Sequence, residues 1–159
     1  MNTKKSIEVL NTFISINDNR FKSYEKASKQ TDESDLISLF IKFQEKSKKR
    51  KAELISEVQK LGGKPVKDSS ITSPFLKFWI KLKSKFKVKD REEILNCCEY
   101  EADLIQKKFE KVLITNIEYL TPKHQNMLQA QYQSIKKDHD ILKGLGDLLV
   151  TCRRFNLDS

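Results

Sequence analysis

Punctuation is scarce in this chain. Four glycines and three prolines in 159 residues leave few places for tight turns, so the elements should be long. Strand signals are scarcer still, since no run of alternating β-branched residues is bounded by turn residues. Three cysteines, Cys97, Cys98 and Cys152, are odd in number and lack paired spacing, which argues against a disulfide framework. Cys97 and Cys98 are adjacent, diverge by about 100° on a helix, and read as small core residues. No stretch approaches the roughly 20 apolar residues of a membrane span. The opening MNTKKSIEVLNTF lacks an apolar core of signal-peptide length, so the expected setting is a reducing cytoplasm. Gly-rich phosphate loops, CxxC and HExxH are missing. The two histidines lie apart in sequence and suggest no Ser–His or Cys–His couple.

Charge is abundant. Charged residues make up 33% and the formal net charge is +9. Such a balance favours acidic partners, nucleic acid or anionic membrane among them. The lysines are nevertheless spread over every segment and mixed with Glu and Asp, as on an ordinary soluble surface.

Apolar periodicity predicts helices over about residues 3–30, 34–61, 73–86, 90–119 and 122–143, in one domain over about 1–150, with a loosely held tail at 151–159. In the first, Ile7, Leu10, Ile14, Phe21 and Tyr24 recur at helical spacing. In the second, the stripe of Leu36, Leu39, Phe40, Phe43, Leu54, Val58 and Leu61 is interrupted where Ser47, Arg50 and Lys51 fall inward or at its border. Gly62-Gly63 ends that helix and Pro65 forbids a restart. Ser73-Pro74 opens the short third piece, whose aromatics Phe75, Phe78, Trp79, Leu82 and Phe86 keep a helical period. Asp90 to Glu93 reads as a capping box. Thr121-Pro122 reads as a cap followed by proline. Leu128, Tyr132, Ile135, His139 and Leu142 then share a face, His124 sits exposed in the first turn, and Gly144 and Gly146 fray the end.

The stretch from Gly62 to Lys89 is too long for a turn, since helix links in bundles take about 2–8 residues. It suits a crossover running the length of a bundle and carrying a short helix. Four main helices joined short, long, short have the connectivity of ferritin-like folds. A lengthwise crossover puts the first hairpin turn and the start of the next long helix at one end. Counting from that end, Asp18, Glu45 and Glu101 lie about 11–13 residues down, at 1.5 Å each, with His139 at a similar level and Glu25 nearer the end. One side chain from each helix then meets midway, in a set suited to iron or manganese. Against this, Lys48 and Lys136 stand where the Glu-x-x-His pattern of dinuclear carboxylate bundles needs other residues. The structural alternative is a buried ion-pair layer, with Asp18 or Glu101 paired to Arg50 or Arg20.

Several blocks resemble an uncharacterised bacterial family of ferritin-like four-helix proteins. They are Ile14 to Asp18, Tyr24 to Ala27, Glu53-Leu54, Leu61 to Pro65, Phe78 to Lys83, Cys98 to Glu101 and Asp138 to Asp140. The resemblance spans about residues 5–145. It implies a ferritin-like bundle with polar inward positions at Asp18, Glu101 and His139, and an accessory or stress-related role. Three functions follow as expectations. One is a non-enzymatic module associating with itself or a protein partner. A second is iron or manganese binding, or iron oxidation, through Asp18, Glu101, His139, Glu45 and Glu25. The third is binding of nucleic acid or anionic membrane through Lys77, Lys81, Lys83, Lys85 and Lys87 with the run from Lys46 to Lys51.

Overall fold

A computed structural model describes residues 2–67 and 91–157, with side chains to residue 147. The described residues form α1 (Thr3–Lys29), α2 (Ser34–Lys60), α3 (Arg91–Asn116), a single 3-10 turn (Ile117–Tyr119) and α4 (Pro122–Leu157), with no strand among them. The expected helix at 73–86 lies outside the described residues, as do Lys77, Lys81, Lys83, Lys85 and Lys87.

The ends are set by local chemistry. Asn2 caps α1, its side chain accepting from Lys5 N–H. Glu33 occupies the cap of α2 without a side-chain bond, and Thr31 Oγ1 accepts from Glu33 N–H instead. Gly62 takes φ +80, a conformation in which a Cβ is strained. Gly62 N–H bonds Gln59 O, and Gly63 N–H bonds Val58 O, both at 3.0 Å, the paired closure of a Schellman cap. Gly63 is needed for closeness: an added Cβ would meet the Ile7 side chain at 2.8 Å. The chain then crosses α1, where Asn11 donates to Lys64 O at 3.1 Å and accepts from Val66 N–H at 3.0 Å. Thr121 Oγ1 accepts from His124 N–H, so α4 opens as expected. It does not stop near residue 143 but runs through both glycines to Leu157. Each glycine costs about 1 kcal/mol in a helix. Buried Leu142, and Leu145 packed against the same cluster, hold the helix on the bundle there.

Helix order follows from cross-links at the two ends. Arg91, at the start of α3, bonds Glu33 and Asp35 beside the α1–α2 turn. Ser6 Oγ, at the start of α1, bonds Tyr119 O beyond the end of α3. Glu57, near the end of α2, meets His124 at the start of α4. Hence α2 and α3 run parallel, and α1 and α4 run opposite to both. The link between α2 and α3 joins opposite ends of the bundle.

Among the described residues the apolar interior falls into two clusters. One contains Leu10, Phe13, Ile14, Leu54, Val58, Phe109, Leu128 and Ile135. The other contains Tyr24, Leu36, Phe40, Phe43, Leu95, Cys98 and Leu142. Between them the interior is polar.

Candidate functional site: a charged waist

All four helices contribute to that polar layer. Arg20 comes from α1, Arg50 from α2, Glu101 from α3 and Asp138 from α4; they are 0%, 5%, 1% and 0% exposed. Asp138 is the hub. Its Oδ2 lies 3.5 Å from Arg20 Nη2 and 4.0 Å from Arg50 Nη2, while Lys46 Nζ reaches Oδ1 at 2.9 Å from the rim. Arg50 also donates to Asn17 Oδ1 (3.0 Å), Ser134 Oγ (3.0 Å) and Ser47 Oγ (3.3 Å). Tyr24 lies beneath the Arg20 guanidinium, 5.2 Å from ring centroid to carbon.

Burial raises the Tyr24 hydroxyl well above the ordinary phenol range, with Arg20 opposing and Cys98, Glu101 and Asp138 reinforcing the shift. The phenol is therefore neutral and supplies no charge. Burial likewise raises the Cys98 thiol, so it is not the thiolate that redox or metal chemistry needs. Burial, then repulsion from Arg20, brings Arg50 down to about 10, against the pull of Asp138; it still carries its charge near neutrality. Two interior guanidiniums and the Lys46 ammonium thus converge on the Asp138 carboxylate, and Glu101 is buried at the same level beside Tyr24 and Cys98.

Each helix places a buried charged residue near mid-depth, but the set is not the Asp18, Glu45, Glu101 and His139 of the depth count. The expected layer of carboxylates and an imidazole is two arginines and two carboxylates, and of the five candidates only Glu101 lies in it. Asp18 is buried one helical step aside and held by Lys51 Nζ (2.8 Å) and Lys22 Nζ (2.9 Å). Glu25 is half-buried and bonded to Gln44 (3.4 Å) and Lys29 (3.7 Å). Glu45 is exposed. His139 lies at the rim beside Asp103 and Asp140; the buried position is its neighbour Asp138. Among the described residues no three His, Cys, Asp or Glu side chains come together as a metal would require. The expected partners of Arg50 and Arg20 were Asp18 or Glu101, whereas Asp138 bonds both.

Ser47 and Arg50 are buried and Lys51 half-buried, in line with the interrupted stripe, and this takes cations away from the anion-binding face expected of the run from Lys46 to Lys51. Lys46, Arg50 and Lys51 turn inward onto Asp138, Asn17 and Asp18, which leaves only Lys48 and Lys49 exposed in it. His124, expected to be exposed, is not. It is 4% accessible, and its Nε2 lies 3.1 Å from Glu57 Oε1. Glu57 also binds Lys60 Nζ and Lys123 Nζ, each at 3.0 Å. Hydrogen bonds from Lys60, then Lys123, hold its carboxyl down at about 2.

Glu57 and Asp138 were both missed in the sequence, although each obeys the helical period. Glu57 falls between Leu54 and Val58 on the buried stripe, and Asp138 between Ile135 and Leu142.

Residues 5–115 match DUF2383, a domain of unknown function. The match covers most of the chain, through α1, α2 and nearly all of α3, and the chain belongs to that family. No curated protein matches it. None of the helices searched is long and apolar enough to cross a membrane.

Proposed function

We propose that this DUF2383 protein is a ferritin-like bundle that works by association, with itself or a protein partner, rather than by catalysis at its centre. The ferritin-like reading is supported by four antiparallel and parallel helices joined short, long, short, with the long link spanning opposite ends. The non-catalytic reading rests on one observation. At mid-depth, where a metal-bearing bundle presents lone pairs, this chain presents Arg20 and Arg50. A guanidinium has five donors and no acceptor, so it ligates no metal. Both guanidiniums instead lie on Oδ2 of Asp138, and Lys46 takes Oδ1. Outside the layer, Asp18 is engaged by two lysines.

Ferrous iron added under air, followed by metal analysis of the desalted protein, tests this reading. The expected result is no retained iron or manganese and no oxidation above that of buffer. Retention of one metal per chain, or faster oxidation, overturns it.

A further inference from the structure

Among the described residues five large apolar side chains are conspicuously exposed, and three of them lie on α3 and the turn that continues it: Tyr100 at 61%, Ile114 at 66% and Ile117 at 49%. They belong to one outward row. Steps of three and four residues from Tyr100 pass through Asp103, Lys107, Glu110, Ile114 and Ile117, the spacing of a helix-pairing seam. The inward row of α3 is already spent on Leu95, Cys98, Ala102, Ile105 and Phe109.

We propose that this row docks a second copy of the chain, with the two α3 helices antiparallel across a two-fold axis. The proposal rests on the association reading above and names its surface. What selects a second copy is the order of the row, which is apolar at both ends and charged in the middle. Reversing it against itself places Lys107 opposite Glu110 of the copy, and the axis makes that ion pair twice. The same register sets Tyr100 against Ile117 and Asp103 against Ile114. Asp103 keeps its own partner, Lys107 Nζ at 2.9 Å, and has Lys111 of the copy one step away. Beside Tyr100 lies a shallow groove of about 400 Å³ between α3 and α4, lined by Asn96, Glu99, Asp103, His139 and Lys143. Ile117 of the copy reaches its edge, and Glu118 beside it meets Lys143. A two-fold contact of this kind is self-complementary by construction. One helix face is a small interface, below about 1,200 Å² in total, so the dimer is reversible rather than obligate.

The test is sedimentation equilibrium of the full chain up to about 100 µM, a range that reports micromolar affinities. The variants are Lys107→Glu, Glu110→Lys, the double swap and Ile114→Glu, which sets a second carboxylate against Asp103 of the copy. All change exposed positions, and circular dichroism checks that the helices persist. The expected result is a dimer in the parent chain, weakened about tenfold or more in each single variant and restored in the double swap, where the ion pairs re-form with exchanged signs. A dimer indifferent to all four changes overturns this surface while leaving association as the proposed function. A parent chain monomeric throughout overturns both this surface and self-association.

Discussion

The waist of the bundle and its two ends use charge in opposite ways. At the waist, Arg20, Arg50, Glu101 and Asp138 are shut off from water. At the ends, Arg91 clamps Glu33 and Asp35 on one side, and Glu57 gathers Lys60, Lys123 and His124 on the other. The end pairs reach solvent to different degrees: the Asp35 side chain is 61% exposed and that of Lys123 67%, whereas Glu57 and His124 are 6% and 4% accessible. Desolvating charge is costly, and a buried pair often does no better than apolar residues of equal volume. An exposed pair costs little and contributes little. We therefore expect the waist to add little net stability over an apolar core. We expect its effect on register, because a helix slipped by one turn would carry its guanidinium away from Asp138 into the apolar interior. The end clamps fix which helix starts where, at small energetic stake for the exposed Arg91 pair and a larger one for buried Glu57.

The largest effect expected follows from breaking the waist by one partner. Asp138→Ala leaves Arg20, Arg50 and Lys46 facing one another without the hub carboxylate. We expect a loss of about 3–5 kcal/mol, read by urea unfolding. Removing a single buried charge is worse than removing a whole set, because the orphan remains. A loss below about 1 kcal/mol, typical of an exposed pair, would mean the waist is hydrated in solution and the comparison with the ends fails.

Much of this arrangement can be read from residues, and the failures share one cause. The long link was legible because Gly62-Gly63-Lys64-Pro65 stops α2 by backbone geometry alone, and its length suits a crossover. The depth at which a buried polar layer falls was legible because rise per residue is fixed. Side-chain identity at that level was not, because helical spacing admits two rows. On α4, Leu128, Ile135 and Leu142 are consistent with Tyr132 and His139 on one side or Gln131 and Asp138 on the other. The structure buries the second pair. On α1 the apolar row ran through Phe21, whereas Arg20 takes the interior and Phe21 is half-buried. Neighbouring positions on a helix differ by about 100°, so an error of one residue turns a buried group into a rim group. Hydropathy favours the wrong choice wherever the interior is charged. His124 was misread for another reason. Its burial depends on Glu57, which approaches from the end of a different helix.

An intermediate effect is expected at the Glu57 end, and pH reads it. The carboxyl of Glu57 sits at about 2 in the folded chain, against an ordinary 4.5. A depressed carboxyl contributes stability that is complete above its unfolded value. That contribution fades as pH falls from about 4.5 towards 2 and is gone below both. Glu57→Gln should lower the melting temperature at pH 7 and flatten the acid limb of its pH profile over that window. Parallel acid limbs for parent and variant would show that Glu57 is not the group responsible.

The smallest effect belongs to the opposite clamp, where the comparison is sharpest because the geometry is so good. Arg91 donates to Asp35 through both terminal nitrogens, at 3.0 and 2.7 Å, and Nη1 also bonds Glu33 at 2.6 Å. The Asp35 hydrogen bond holds the guanidinium firmly protonated, and Arg91 in turn lowers the Asp35 carboxyl. Geometry alone would rank this above the 3.5 Å contact of Arg20 with Asp138. Burial ranks it below, since water replaces much of what is lost when an exposed pair is cut. Arg91→Ala should cost less than about 1 kcal/mol, and added salt should shrink the difference because exposed charges are screened. A cost equal to that of Asp138→Ala would mean that bond geometry, rather than access to water, decides the worth of an ion pair in this bundle.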